Sequence, residues 1–441
     1  MSRSDESGSV AAATDRVAAS PAFPQGSRVN ERGHLEVGGC DVVELVREHG
    51  TPAYVYAEDD IRARARRFTA ALAERTDDFE VLFASKSLPA TAAYAVAAEE
   101  GLSVDVASGG ELHMALAGGF DPSRIHMHGN NKTEAELTYA FDAGVGHLIL
   151  DSFDEIERAD RLLDRPQRVL LRITPGIQAS THSYIQTGQE DSKFGFGLAD
   201  GLAERAVKAV RESRNLELVG LHAHIGSQIY ELEPFAKAIE VLADFTRAIE
   251  FEPEMLNIGG GLGIAYLSGD SPPSIEDYVA VKVDGVRKVF DPAPKILIEP
   301  GRSLVGNAGV TAYRVGTVKE IPGVRTYVAV DGGMSDNLRP MLYGARYEAL
   351  IADRAAEAAD TLVTIAGMHC ESGDVLIRDT EIAAPRVGDV LVTPATGAYG
   401  HSMASNYNGV PRPPVIFCRD GEARIVVRRE SWDDLLGRDV R

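Results

Sequence analysis

From Phe79 onward, short runs of β-branched and other apolar residues alternate with longer amphipathic or Ala-rich stretches. The runs at 79–84, 103–106, 124–128, 147–150, 168–173, 216–221, 255–258 and 295–298 predict eight strands. Between them, 89–100, 132–143, 152–163, 198–213 and 233–250 are long enough for crossover helices. Eight βα repeats over roughly 220–250 residues match a TIM barrel, whose active site lies at the C-terminal ends of its strands. An open doubly wound sheet is the competing arrangement. Reactive side chains favour the barrel, because Lys86, Asp105, His128, Asp151, Arg172, His224 and Glu299, with Gly259 among them, fall just after those runs. The strand starts show no such clustering.

Beyond about residue 303 the pattern changes to strands spaced by Gly and Pro turns, at 311–319, 325–331, 361–366, 374–378, 389–393, 414–418 and 423–428, with one helical segment near 346–358. This predicts a separate β-rich domain. The expected layout is α/β. A disordered tail over 1–27, rich in Ala and Ser, leads into an N-terminal segment over 28–52 that packs with the β domain. The (β/α)8 barrel follows over 53–303, and the β-rich C-terminal domain over 304–441.

Composition narrows the function classes. Of 441 residues, 44% are apolar and 25% charged, which excludes wholesale disorder and leaves ample volume for a core. Lys and Arg total 45 against 66 Asp and Glu, a net charge of −21 whose field repels phosphate backbones and anionic lipid surfaces. Neither a nucleic acid nor a membrane is an expected partner. No apolar run reaches 18 residues, and Asp5, Glu6, Asp15 and Arg16 interrupt any signal-peptide stretch, which points to the cytoplasm. Cys40, Cys370 and Cys418 are odd in number, far apart and outside any CxxC spacing, so free thiols are expected in place of a disulfide framework or zinc site.

Several segments carry candidate chemistry. Val81 to Lys86 sets a lysine at the end of an apolar strand, where desolvation would lower its pKa and suit it to Schiff-base formation; a solvated loop lysine is the alternative. In Asn257-Ile258-Gly259-Gly260-Gly261-Leu262-Gly263, residues without Cβ let backbone N–H groups close around a phosphate, although the spacing is neither GxGxxG nor a Walker motif. Glu299-Pro300-Gly301-Arg302 offers an acid, a rigid turn and an arginine suited to phosphate or carboxylate, or an ordinary ion pair. His222 and His224, two apart, would face the same way on a regular strand. A metal pair is conceivable there, but no HExxH or neighbouring Cys or acid completes it, so a stacking or hydrogen-bonding histidine is the expectation. His369 to Asp374 sets a thiol beside a carboxylate, and Gly397-Ala398-Tyr399-Gly400 presents a phenol between glycines. Either could be turn chemistry alone.

Taken in order, Phe83 to Lys86, Asp105 to Leu112, His128 to Lys132, His222 to Ser227, the triple glycine, Glu299 to Arg302, Asp331 to Met334, Arg339 to Gly344, Cys370 to Asp374, Gly397 to Gly400 and Ser405 to Asn408 closely resemble the diaminopimelate decarboxylases. These are fold-type III pyridoxal-phosphate enzymes, related to ornithine and arginine decarboxylases and, by barrel, to alanine racemase. The resemblance spans about residues 28 to 430; Lys86 is followed by Ser87-Leu88 where the family more often has Ala-Asn. It implies a barrel of the alanine racemase type and pyridoxal 5'-phosphate held covalently by Lys86. It further implies that Glu299 faces the pyridine nitrogen and His224 stacks on the ring. Ser227, Gly259, Gly260, Gly261, Gly301, Arg302 and Tyr399 are then expected around the cofactor. Cys370 is expected to reprotonate the product, and Arg302, Arg339, Tyr343, Glu371 and Tyr399 to contact substrate. The resemblance implies a homodimer with shared sites and decarboxylation of meso-2,6-diaminopimelate to L-lysine and CO2. A decarboxylase of another amino acid, ornithine-like or a paralogue, is the nearest alternative, ahead of a racemase or a noncatalytic cofactor-binding protein.

Overall fold

A computed structural model of the chain describes residues 3–177, 192–199 and 201–440. Residues 1 and 2 of the expected tail and residue 200 of the expected helix 198–213 lie outside the described residues. The chain divides into two compact units. One consists of Arg64–Gly263 and Pro272–Ser303; the other takes the residues up to Ala63, Ile264–Ser271, and those from Leu304 onward.

In the first unit, strands Phe79–Ala84, Ser103–Val106, Ile125–Met127, His147–Leu150, Gln167–Thr174, Leu216–His222, Met255–Asn257 and Lys295–Ile298 pair in parallel, each with the next. The last returns to the first, with Ile296 opposite Phe79 and Ile298 opposite Val81, so the barrel closes and the open sheet is excluded. Ser or Thr caps fix several helix starts: Ser108, Thr133, Ser152 and Ser274 accept from the amides of Glu111, Glu136, Glu155 and Asp277. After Val106 and Leu150 the capped helix begins within three residues, which keeps Asp105 and Asp151 at the barrel mouth; after Asn257 a long loop carrying the glycines intervenes.

Strand alternation stacks the interior in layers. At the strand starts, Glu80 lies 3.4 Å from His126 Nε2 and 2.8 Å from Lys295 Nζ. Above them Leu82, Ile149, Leu170, Val219, Met255 and Leu297 form an apolar cluster. Two residues further along their strands come Asp151, Arg172, Asn257 and Glu299, all buried. The apolar layer thus separates two polar ones, and only the upper one carries the predicted chemistry.

The second unit holds a mixed sheet ordered Val375–Ile382, Thr361–Ala366, Arg325–Val330, Gly309–Ile321, Ala53–Ala57, Val415–Arg419 and Glu422–Val427. Val390–Thr393 also pairs with Gly309–Ile321, and Leu350–Ile351 with Val390–Thr393. Three expectations are corrected here. Residues 53–57 do not open the barrel; they pair with 309–312 and 415–418, and all five are buried. The tail is not structureless, since Arg3–Ala19 is helical and Ala13 and Val17 join an apolar cluster with Leu35, Val46 and Val55. Its Ala content, read as a mark of a disordered tail, serves helix propensity and close packing. Finally, 346–358 is not a helix: Leu350–Ile351 is a strand and Ala352–Arg354 a 3-10 turn. Arg354 bonds Asp389 Oδ2 at 2.5 Å, and Asp353 accepts from Val390 N, so tertiary pairing overrides helix propensity.

Two half-buried imidazoles, with ring nitrogens shut away from water, give this fold an acid sensitivity. His147 stacks on His126 with ring centroids 4.4 Å apart, and burial pushes its pKa down to about 3. His401, edge-on to Tyr54, is pushed down to about 4 by burial. Below pH 6.5 the unfolded chain binds protons that these folded rings refuse, so stability is full above that pH and falls as pH drops toward the folded values. Each ring costs at most about 2 kcal/mol at pH 5. Urea unfolding should show a lower midpoint at pH 5 than at pH 7.5, with a smaller drop in His147→Gln; equal midpoints would contradict neutral burial.

Candidate active site

Glu299 follows the last barrel strand and is buried. Asn257 Nδ2 donates to its Oε1 at 2.7 Å and His222 Nε2 to its Oε2 at 3.2 Å, while His128 Nε2 lies 2.9 Å from Oε1. Burial alone would raise the acid's pKa, but the two histidines outweigh it and hold the carboxyl well below its usual range. Glu299 is therefore ionised. The ligand atoms of His128, His222 and Glu299 lie within 4.8 Å of one another, a spacing a metal ion could use, yet hydrogen bonds already engage both carboxylate oxygens. His222 and His224 do not act as a pair, because His224 Nδ1 accepts instead from Gly260 N at 3.3 Å. That bond leaves the ring proton on Nε2. Burial, followed by the charges of Lys86 and Arg172, holds His224 well below its usual pKa, so the ring is neutral.

The glycine loop cannot carry side chains. A Cβ at Gly260 would sit 2.2 Å from the Glu299 carbonyl oxygen, and one at Gly261, whose φ is +112°, would sit 2.7 Å from Gly226 O. The backbone thereby lies directly on the carboxylate's own turn. Nearby, Arg302 Nε and Nη2 donate to Ser227 Oγ at 3.2 and 2.9 Å. A hydroxyl accepting two N–H bonds keeps its own hydrogen to donate, so this pair forms a donor set for an oxyanion. Gly301 is closely packed, a Cβ there meeting Ala84 Cβ at 2.8 Å.

Lys86 stands in the 3-10 turn Ser85–Ser87, with both flanking serines buried. The lysine itself is exposed in the chain, so the desolvated amine expected from its strand-end position is not what the protein alone provides. Its charge instead acts on its surroundings, bearing on the ionisation of Asp105, His128 and His224. Burial pushes Asp105 well above the usual carboxylate range against the pull of Lys86, and its Oδ1 has no hydrogen-bond partner among the described residues.

The remaining candidates belong to the β-rich unit. Arg339 is buried among tyrosines; its Nη1 donates to Tyr347 Oη at 2.5 Å, and its Cζ lies 4.5 Å from the Tyr266 ring and 5.9 Å from that of Tyr343. Tyr399, at φ +69°, adds to the field that keeps this guanidinium charged. Cys370 and Glu371 are exposed. Their turn is fixed by Asp374, which accepts from Met334 N at 2.7 Å and His369 N at 2.9 Å, and by Asn408, which accepts from Cys370 N at 2.9 Å. Arg339, Tyr343 and Tyr399 thus form one group, and Cys370 and Glu371 an exposed turn.

A family model for the pyridoxal-binding domain of pyridoxal-dependent decarboxylases matches residues 58–306. The diaminopimelate decarboxylase of Bacillus subtilis (strain 168) is 49% identical over 426 residues, covering 94% of this chain and 97% of that protein. That of Halalkalibacterium halodurans is 48% identical over 425 residues, covering 94% and 97%. The chain belongs to the diaminopimelate decarboxylase family. A crystal structure of diaminopimelate decarboxylase from M. jannaschii, in complex with L-lysine, matches with a TM-score of 0.89 at 33% identity, covering 95% of this chain and 98% of that one.

The family's cofactor is pyridoxal phosphate, and the barrel mouth fits it on three observations: an ionised buried carboxylate for a ring nitrogen, a backbone cradle that a Cβ would fill, and the Arg302–Ser227 donor pair for a phosphate. Sequence reasoning passed over two residues. Asn257 carried a usable signal, being a polar residue at an inward strand end. Lys282 carried none, since it lies in an amphipathic helix where lysine ordinarily faces water. Gly260→Ala should cut the affinity for pyridoxal 5'-phosphate at least tenfold by displacing the loop from the Glu299 turn; absorbance titration of the apoprotein checks this, and undiminished affinity would mean the loop lies outside the cofactor site.

Proposed function

We propose that this protein decarboxylates meso-2,6-diaminopimelate to L-lysine and CO2, the last step of bacterial lysine synthesis, as a cytoplasmic homodimer. The observation that carries the reading is the buried Glu299 carboxylate, kept ionised by His128 and His222 beside a glycine cradle, in a chain 49% identical to a curated diaminopimelate decarboxylase. Among the described residues no helix is long and apolar enough to cross a membrane.

When bound, pyridoxal 5'-phosphate supplies an electron sink for the pair released as CO2 leaves. Glu299 holds a proton at the ring nitrogen, which a neutral neighbour would not. Lys86, exposed at the mouth, would hold the cofactor through its side-chain amine. The neutral His224 ring would face the cofactor ring without adding charge. Ser227, Arg302 and the Gly261 amide would bind the phosphate, with Gly259 and Gly260 shaping the loop and Gly301 giving the turn room. Cys370 returns a proton to the α-carbon after decarboxylation. At the distal centre of the substrate, Arg339 and Tyr343 receive the carboxylate and Glu371 the ammonium. A site that hydrogen-bonds both groups rejects substrates lacking one of them by several kcal/mol.

Purified protein with pyridoxal 5'-phosphate should release CO2 and L-lysine from meso-diaminopimelate, with L,L-diaminopimelate and ornithine turned over at least 10²-fold less efficiently. Ornithine use with a comparable kcat/KM would move the assignment to another amino acid while leaving the cofactor chemistry intact. Shared sites predict complementation. Lys86→Ala and Cys370→Ala, each inactive alone, should regain part of the activity when mixed, because one hybrid site receives both intact residues. No recovery after verified subunit exchange would place both groups in one chain.

A further inference from the structure

Lys282 lies mid-way along helix Ile275–Val289 with 1% of its surface exposed. Its Nζ donates to three successive carbonyls of the glycine loop: Ile258 O at 2.6 Å, Gly259 O at 2.8 Å and Gly260 O at 3.4 Å. It also rests 4.4 Å from the centre of the Tyr278 ring and 4.8 Å from that of Phe235. An ammonium has three donors, and three acceptors meet it. The aromatic faces favour the same charged form, while burial pulls the pKa well below its usual value.

The consequence lies on the other side of the loop. A trans peptide directs its C=O and its N–H oppositely, so turning the 258, 259 and 260 carbonyls onto one point turns the 259, 260 and 261 amides away from it. Gly259 N then reaches Asn257 Oδ1 at 3.0 Å and Gly260 N reaches His224 Nδ1, both partners belonging to the site. Gly259 O is also met by Glu299 N at 3.1 Å and Tyr278 Oη at 3.3 Å, so Lys282 matters most for the Ile258 and Gly260 carbonyls, whose peptides, if flipped, would aim oxygens at an anion. We propose that Lys282 is a positioning residue that pins the three carbonyls behind the loop, so that the Gly259 and Gly260 amides keep Asn257 and His224 in place and the Gly261 N–H, not a carbonyl oxygen, meets the cofactor phosphate. This rests on the pyridoxal phosphate reading of the site.

The test compares pyridoxal 5'-phosphate with pyridoxal, which lacks the phosphate, in wild type, Lys282→Met and Lys282→Gln apoproteins, each checked for folding by circular dichroism. Wild type should prefer the phosphorylated ligand strongly. Lys282→Met should lower that preference at least tenfold by weakening pyridoxal 5'-phosphate far more than pyridoxal, and Lys282→Gln, which keeps two donors, should fall between. A role confined to stability would weaken both ligands alike and leave the preference unchanged, which would overturn the inference. If the Met variant does not fold, an unchanged preference in Lys282→Gln overturns it equally. A wild type with no preference would instead remove the phosphate site on which the inference rests.

Discussion

A carboxylate buried at the end of the last barrel strand has to remain charged, and the upper layer of the barrel is arranged around that requirement. Taking an ionised acid out of water is costly unless hydrogen-bond donors replace the lost hydration, and burial, which lowers the pKa of both His222 and His128, makes these neutral donors. Here Asn257, His222 and His128 converge on Glu299 from the ends of the seventh, sixth and third barrel strands. Each comes from an inward position that the strand period leaves at the mouth, and the Leu and Ile layer beneath separates them from the Glu80 and Lys295 pair below. Closure of the barrel is thus what brings the partners of one acid together. An open sheet would carry the first and last strands to opposite edges.

The glycine loop extends the same logic to the backbone. Gly260 has no room for a Cβ because the carbonyl of Glu299 occupies that space. The loop and the acid are therefore packed as one piece, and His224, held by the Gly260 amide, is tied to both. Lys282 reaches this assembly from behind through a helix that shows no sign of function in its own sequence.

How much could be seen in the sequence follows from periodicity. The eight barrel strands and the positions at their ends were legible because each run is short, β-branched and followed by a reactive residue. Ala53–Ala57 was misplaced since an apolar pentapeptide beside a helix looks alike in either unit; only its partners at 309–312 and 415–418 decide, and these are remote in sequence. The segment 346–358 was misread because Ala, Glu and Arg favour a helix locally, while Asp353 and Arg354 are bound to the 389–390 turn. The strand end before Lys86 was legible, but its exposure was not, because how far a side chain at a barrel mouth is covered depends on neighbours remote in sequence.

The path of the chain through the β-rich unit bears on how the protein is made. The strand Ala53–Ala57 is buried along its whole length and paired on both sides, yet its neighbours begin at Gly309 and Val415. On a ribosome adding 5–20 residues per second, roughly 250 residues separate it from the first partner, a wait of about 12–50 s. During that interval the intervening barrel strands can all emerge and close, while this one keeps two open edges and an apolar face. The nascent chain is thus open to mispairing at this strand until the barrel, from Lys86 to Glu299, has been translated and Gly309–Ile321 has followed it.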